Sequence, residues 1–106
     1  MIRVLVVDDH DVVRAGLRLL LGGFDDVECV GDAADGQQAV DLVGTVQPDV
    51  VLMDLSMPGM SGIAATSRIL DDHPDVRVVV LTTVADRTKV TAAIDAGAVG
   101  FLLKDT

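Results

Sequence analysis

The sequence has no Trp or Tyr and only two Phe, Phe24 and Phe101. Its core must therefore be aliphatic, built on Val, Leu, Ile and Ala. A single cysteine, Cys29, excludes a disulfide framework and a Cys-rich zinc site. It stands in the strand-like run "VECVGDA" and is expected to be an inert, buried thiol. Basic residues are scarce: eight Lys and Arg face seventeen Asp and Glu, for a net charge of −9. That balance argues against nucleic acid or an anionic membrane as a partner of this chain, since both need a basic footprint. No run approaches the ~18 apolar residues of a membrane span. The N-terminal apolar run is broken by acids at once, unlike a signal peptide, so a cytoplasmic protein is expected. No glycine-rich loop follows the first apolar run, where a nucleotide-binding α/β protein would carry one.

What is present is an alternation. Half of the 106 residues are hydrophobic, enough for one domain with a real core. Short β-branched runs predict strands over Ile2 to Val7, "VECVGDAA", Val50 to Met53, Val76 to Leu81 and Val99 to Leu103. Between them, apolar residues fall at helical spacing. The first helix carries Val12, Val13, Leu17, Leu20 and Leu21 and ends at Gly22-Gly23. The second carries Ala39, Val40, Val43 and Val46 and stops before Pro48. The third runs from Ile63 to Leu70. The fourth runs from Arg87 to Ala96, with Gly97 as its C-cap. Strict βα alternation implies an α/β fold with a parallel sheet and helices on both faces. The first, third and fourth strands are nearly continuous apolar runs, as strands buried on both faces are.

Polar residues gather at the ends of those strands. Asp8 and Asp9 end the first, Asp54 the third, Thr82 the fourth and Lys104 the fifth. Ligands of open α/β sheets bind just outside the carboxyl ends of the strands, where strand order reverses. Three carboxylates there stay ionised together only with a cation among them, and hard oxygen donors suit Mg²⁺. With the Lys104 ammonium and the Thr82 hydroxyl, the set suits a phosphoryl group. Each acid alone has a plainer reading as a turn former or helix cap: Asp9 or His10 could cap the first helix, and Asp11 suits its dipole. His10 and His73 read as surface residues.

The segments "VLVVDDH", "VVLMDLSMPGMSG", "VVVLT" and "GFLLKD" together resemble the receiver domain of bacterial two-component response regulators. "VDDHDVVRAGLRLLL" and "GAVGFLLKD" are similar to the NarL/FixJ subgroup, whose members usually carry a LuxR-type helix-turn-helix. The resemblance covers the whole chain, residues 1–106, as one receiver domain. It implies a flavodoxin-like (CheY-like), doubly wound five-stranded sheet in the order 2-1-3-4-5. It implies that Asp54 accepts a phosphoryl group from a phosphohistidine on a sensor histidine kinase. Asp9 and Asp54 would hold Mg²⁺ directly and Asp8 largely through water, with the backbone carbonyl of Ser56 completing the set. Lys104 would pair with the phosphoryl oxygens, Thr82 would swing toward them, and Phe101 would rotate inward. Such a domain is a signalling module rather than a turnover enzyme, and DNA is met only through the helix-turn-helix, which this chain lacks.

A haloacid-dehalogenase-type phosphatase also uses a strand-end Asp, but as D-x-D, and Ser56 stands where its general acid would be. Two features depart from the receiver pattern. Asp105 follows Lys104 where many receivers have Pro, which puts the peptide geometry there in question. The chain also stops at Thr106, before a fifth helix and an effector domain, so a fragment is expected. Without that helix an apolar face would be bare, which implies self-association, as a homodimer for example.

Overall fold

A computed structural model describes residues 1–104. The Lys104-Asp105 peptide lies outside them. Strands β1 (Ile2–Val7), β2 (Val27–Ala33), β3 (Val50–Asp54), β4 (Arg77–Thr82) and β5 (Gly100–Leu103) alternate with helices α1 (Asp11–Leu21), α2 (Gly36–Val46), α3 (Gly62–Asp72) and α4 (Val90–Asp95). The strands form one parallel sheet in the order β2-β1-β3-β4-β5. Among the described residues, no helix is long and apolar enough to cross a membrane.

The order dictates where the helices lie. The β1-to-β2 connection runs toward one edge of the sheet, and the other three run toward the opposite edge. Parallel crossovers are right-handed, so α1 packs on one face and α2, α3 and α4 on the other. Strand side chains alternate accordingly. Leu5, Val7, Val51, Met53, Val78 and Val80 join Ala39, Val43, Ala65, Ile69 and Ala93 of the three helices in one buried cluster. Val4 and Val6 point the other way, under α1, and are also buried.

Beyond α1, that second face is thinly covered. Leu52 and Val79 are aligned neighbours and only half-buried, while Leu102, aligned with Leu81, is 54% exposed. Leu52, Val79 and Leu102 thus form an apolar row that the described helices leave partly open.

Local signals fix the element ends. Asp35 caps α2 by accepting from the Gln38 N–H at 2.8 Å, and the Gln38 side chain accepts from the Ala34 N–H in return. Ser61 caps α3 through the Ala64 N–H; such caps contribute about 1 kcal/mol each. Gln47 closes α2 with φ 50, a left-handed cap whose N–H donates to the Val43 carbonyl, and Pro48 after it cannot continue the helix. Gly97 has φ +113, as a glycine C-cap should.

Two expectations need correction. Arg87 to Lys89 form a 3₁₀ turn, so the fourth α-helix is shorter than the sequence spacing predicts. Cys29 is only half-buried, because β2 is an edge strand; its thiol donates to the Gly31 carbonyl at 3.4 Å.

Gly62 starts α3 directly against the end of β3. A Cβ there would lie 2.9 Å from both the Asp54 carbonyl carbon and the Leu55 Cα. Backbone cannot yield as a side-chain tip can, so Gly62→Ala is expected to cost roughly 2 kcal/mol or more. Urea denaturation of the two proteins checks this, and an unchanged midpoint would mean that the junction is loose.

Candidate functional site

The central pair of the sheet, β1 and β3, brings Asp8 and Asp54 together at their carboxyl ends. Both side chains are buried, at 0% and 2% exposure. Lys104, beyond β5, reaches across to them. Its Nζ lies 3.0 Å from Asp8 Oδ2 and 3.3 Å from Asp54 Oδ1. The position of Lys104 is set by its own N–H, which donates to the Thr82 carbonyl at 2.8 Å and so continues the β4–β5 ladder. The structure thus brings four of the expected site residues, Asp8, Asp9, Asp54 and Lys104, into one crevice.

Asp8 is held on every side. The His10 N–H donates to its Oδ1 at 2.8 Å, and the His10 ring Nδ1 lies 2.9 Å from the same oxygen. The Arg14 guanidinium donates to the Asp8 carbonyl at 2.6 Å and also pairs with Asp11 and Asp32. Asp9 is more open. Its Oδ1 lies 3.0 Å from His10 Nδ1, outside hydrogen-bonding geometry, and has no hydrogen-bond partner.

Asp54 is underserved. Oδ1 meets Lys104 and, at 3.3 Å, the Ser56 N–H. Among the described residues, Oδ2 is buried without a hydrogen-bond partner. A buried carboxylate oxygen in that state is costly unless a cation or donor reaches it.

The electrostatics follow. Burial and the neighbouring Asp8 charge push the Asp54 carboxyl above its ordinary pKa, despite Lys104. Burial also acts to raise Asp8, but the hydrogen bonds from His10 and Lys104 outweigh it and hold Asp8 below the usual carboxylate range. Lys104 is raised, because burial is outweighed by Asp8 and Asp54. His10 is raised by its Asp8 hydrogen bond and the charge of Asp9.

The donor set fits a divalent cation. One ligand atom each of Asp8, Asp9, His10 and Asp54 lies within 4.8 Å of the others, and Asp54 keeps one oxygen without a hydrogen-bond partner among the described residues. Hard carboxylate oxygens at this spacing suit Mg²⁺.

The remaining expected residues surround the crevice. Thr82 is buried, and its hydroxyl donates to the Thr83 carbonyl at 3.3 Å. Phe101 is 48% exposed, aligned with Val80 and facing α4. The Ser56 side chain donates to Asp86 at 2.8 Å and so ties the loop after β3 to the loop after β4.

A model of the response regulator receiver domain matches residues 4–106. The chain belongs to that family. It is 48% identical over 104 residues to the transcriptional regulatory protein LiaR of Bacillus subtilis, covering 98% of this chain and 49% of LiaR. The response regulator domain of Thermotoga maritima CheB superposes with a TM-score of 0.93 at 36% identity, over 99% of this chain and 79% of that one. The receiver domain of NarL from Mycobacterium tuberculosis superposes with a TM-score of 0.89 at 37% identity, over 99% and 85%. The receiver domain described here thus resembles NarL/FixJ-type regulators in sequence and CheY-like receivers in fold. The chain spans about half the length of the curated relatives it matches.

Sequence reasoning missed two residues of this receiver's crevice. His10 was expected at the surface, and its ring is indeed mostly exposed, yet it contacts both Asp8 and Asp9. Its place beside two acids in "VDDHD" was the available signal. Arg14 carried no such signal, because its bond to the Asp8 carbonyl depends on how α1 folds back over β1.

The raised Asp54 pKa has a stability consequence. The folded state holds the proton more tightly than the unfolded chain. Stability from this group is therefore present below the unfolded carboxylate pKa and lost as pH rises through the folded one. At neutral pH, Asp54→Asn is expected to raise the melting temperature of the metal-free protein by a few degrees. At a pH below the ordinary carboxylate range the difference should vanish. Calorimetry at both pH values checks this, and a less stable Asn variant at neutral pH would contradict it.

Proposed function

We propose that this chain is the phosphoacceptor module of a two-component regulator, with Asp54 as the acceptor. The observation that carries the proposal is the Asp54 carboxylate itself. It is buried and charge-stressed, with one oxygen held by Lys104 and the Ser56 N–H and the other unpartnered. That geometry orients a nucleophile and leaves its lone pairs free.

In this reading an Asp54 oxygen attacks the phosphorus of a phosphohistidine on a sensor histidine kinase. The P–N bond breaks, the electron pair leaves with the imidazole, and an aspartyl phosphate forms. Asp9 and Asp54, with Asp8 behind them and the Ser56 carbonyl beside them, would hold Mg²⁺. Bound there, the ion supplies positive charge against the phosphoryl oxygens. Lys104 supplies a second positive charge at the same oxygens. The openness of Asp9 and the full occupation of Asp8 support Asp9 as the closer metal ligand.

Thr82 and Phe101 are proposed as the readout. Among the described residues, the Thr82 hydroxyl makes one long bond, to Thr83, so a phosphoryl oxygen would offer it a stronger, charge-assisted one in one state only. The Phe101 ring stands half-exposed, with room to move as Thr82 leaves its place. The module would then switch a DNA-binding transcription regulator, as expected from relatives about twice its length.

Incubation with Mg²⁺ and a small phosphodonor, followed by intact-mass measurement, tests the assignment. A single phosphoryl group is expected on the wild type, and none on Asp54→Asn or after Mg²⁺ is chelated. Asp9→Ala should weaken Mg²⁺ binding more than Asp8→Ala. Modification that persists in Asp54→Asn would overturn the acceptor assignment.

A further inference from the structure

His10 contacts the acidic cluster yet has no part in the phosphoryl chemistry above. Its ring Nδ1 stands 2.9 Å from Asp8 Oδ1 and 3.0 Å from Asp9 Oδ1. The residue is anchored at the start of α1. Its N–H donates to Asp8 Oδ1, and its carbonyl accepts from the Arg14 N–H at 3.0 Å. The ring is therefore presented to the cluster from a fixed backbone. Asp54 Oδ2 is buried and has no hydrogen-bond partner among the described residues.

The spacing is that of a coordination shell. Two ligands at right angles around an ion with bonds of about 2.1 Å lie about 3.0 Å apart. The 3.0 Å from His10 Nδ1 to Asp9 Oδ1, which is not a hydrogen bond, matches that edge. Mg²⁺ draws little benefit from an imidazole nitrogen. The later divalent transition ions draw much more, in the order manganese, iron, cobalt, nickel, copper.

We infer that His10 is a nitrogen ligand of this crevice, joining Asp9 and Asp54, with Asp8 behind them, to give a mixed nitrogen–oxygen site that prefers a divalent transition ion over Mg²⁺. The inference rests on the proposal that the acidic cluster is a metal site, and adds the ligand that sets its selectivity. The His10 side chain is 63% exposed, so its removal leaves no cavity and should not unfold the domain.

The test uses metal-free protein carrying His73→Ala, which removes the only other histidine, at the C-terminal end of α3. This protein and its His10→Ala derivative are titrated calorimetrically with Mg²⁺ and with Ni²⁺, and proton NMR spectra are recorded with Ni²⁺ bound. Ni²⁺ is expected to bind roughly tenfold or more tightly than Mg²⁺ when His10 is present, and His10→Ala should forfeit most of that advantage. Mg²⁺ affinity should change less than about twofold. With His10 present, imidazole protons should shift far outside the diamagnetic range. Normal Mg²⁺ binding with no dependence of Ni²⁺ on His10, and no shifted ring protons, would overturn the ligand role alone. Failure of both ions to bind would overturn the metal site and the inference together.

Discussion

One ammonium shared between two buried carboxylates governs this crevice. Lys104 stands 3.0 Å from Asp8 and 3.3 Å from Asp54, and neither acid has solvent to fall back on. The sharing is unequal. Asp8 also receives two contacts from His10, whereas Asp54 receives only a long bond from the Ser56 N–H. Burial therefore dominates at Asp54, and hydrogen bonding dominates at Asp8. Two like residues, one strand apart, are pushed in opposite directions. The acid left with an unpartnered oxygen is the one that faces the proposed chemistry.

The fold creates that inequality. Parallel strands bring all carboxyl ends to one edge, and the reversal of strand order between β1 and β3 opens a crevice there. Aliphatic packing below, from Leu5, Val7, Val51 and Met53, keeps the strand ends dry. Gly62 lets α3 begin against the Asp54 backbone, which a side chain would prevent. The loops above are joined by Ser56 and Asp86, with Lys89 close to both. A dry floor, a fixed cation and a tied rim give the site its charge stress.

Much of this was legible in the sequence because it rests on local pattern. The apolar runs at Val4 to Val7, Val50 to Met53 and Val78 to Leu81 read as buried strands, and the polar residues that stop them, Asp8, Asp54 and Thr82, then lie at their ends. Lys104 was legible by the same logic, one residue past the fifth strand. What stayed hidden depends on tertiary approach. Arg14 reaches the Asp8 carbonyl only because α1 folds back over β1. The Ser56–Asp86 bond joins loops thirty residues apart in sequence. Cys29 looked buried because its strand is apolar, but burial of a strand depends on its position in the sheet, and β2 lies at an edge. His10 lies at the surface as expected, and its contacts with Asp8 and Asp9 stayed hidden because exposure and contact with a site are not exclusive.

The central claim is that Asp54 is a stressed carboxylate relieved by a cation, while its neighbour Asp8 is already satisfied. Carboxyl-carbon NMR of the metal-free protein across an acid titration measures both directly. The account predicts that Asp54 titrates above the ordinary aspartate range and Asp8 below it, and that Mg²⁺ draws Asp54 down. Two ordinary aspartates, or an Asp54 that ignores Mg²⁺, would contradict it.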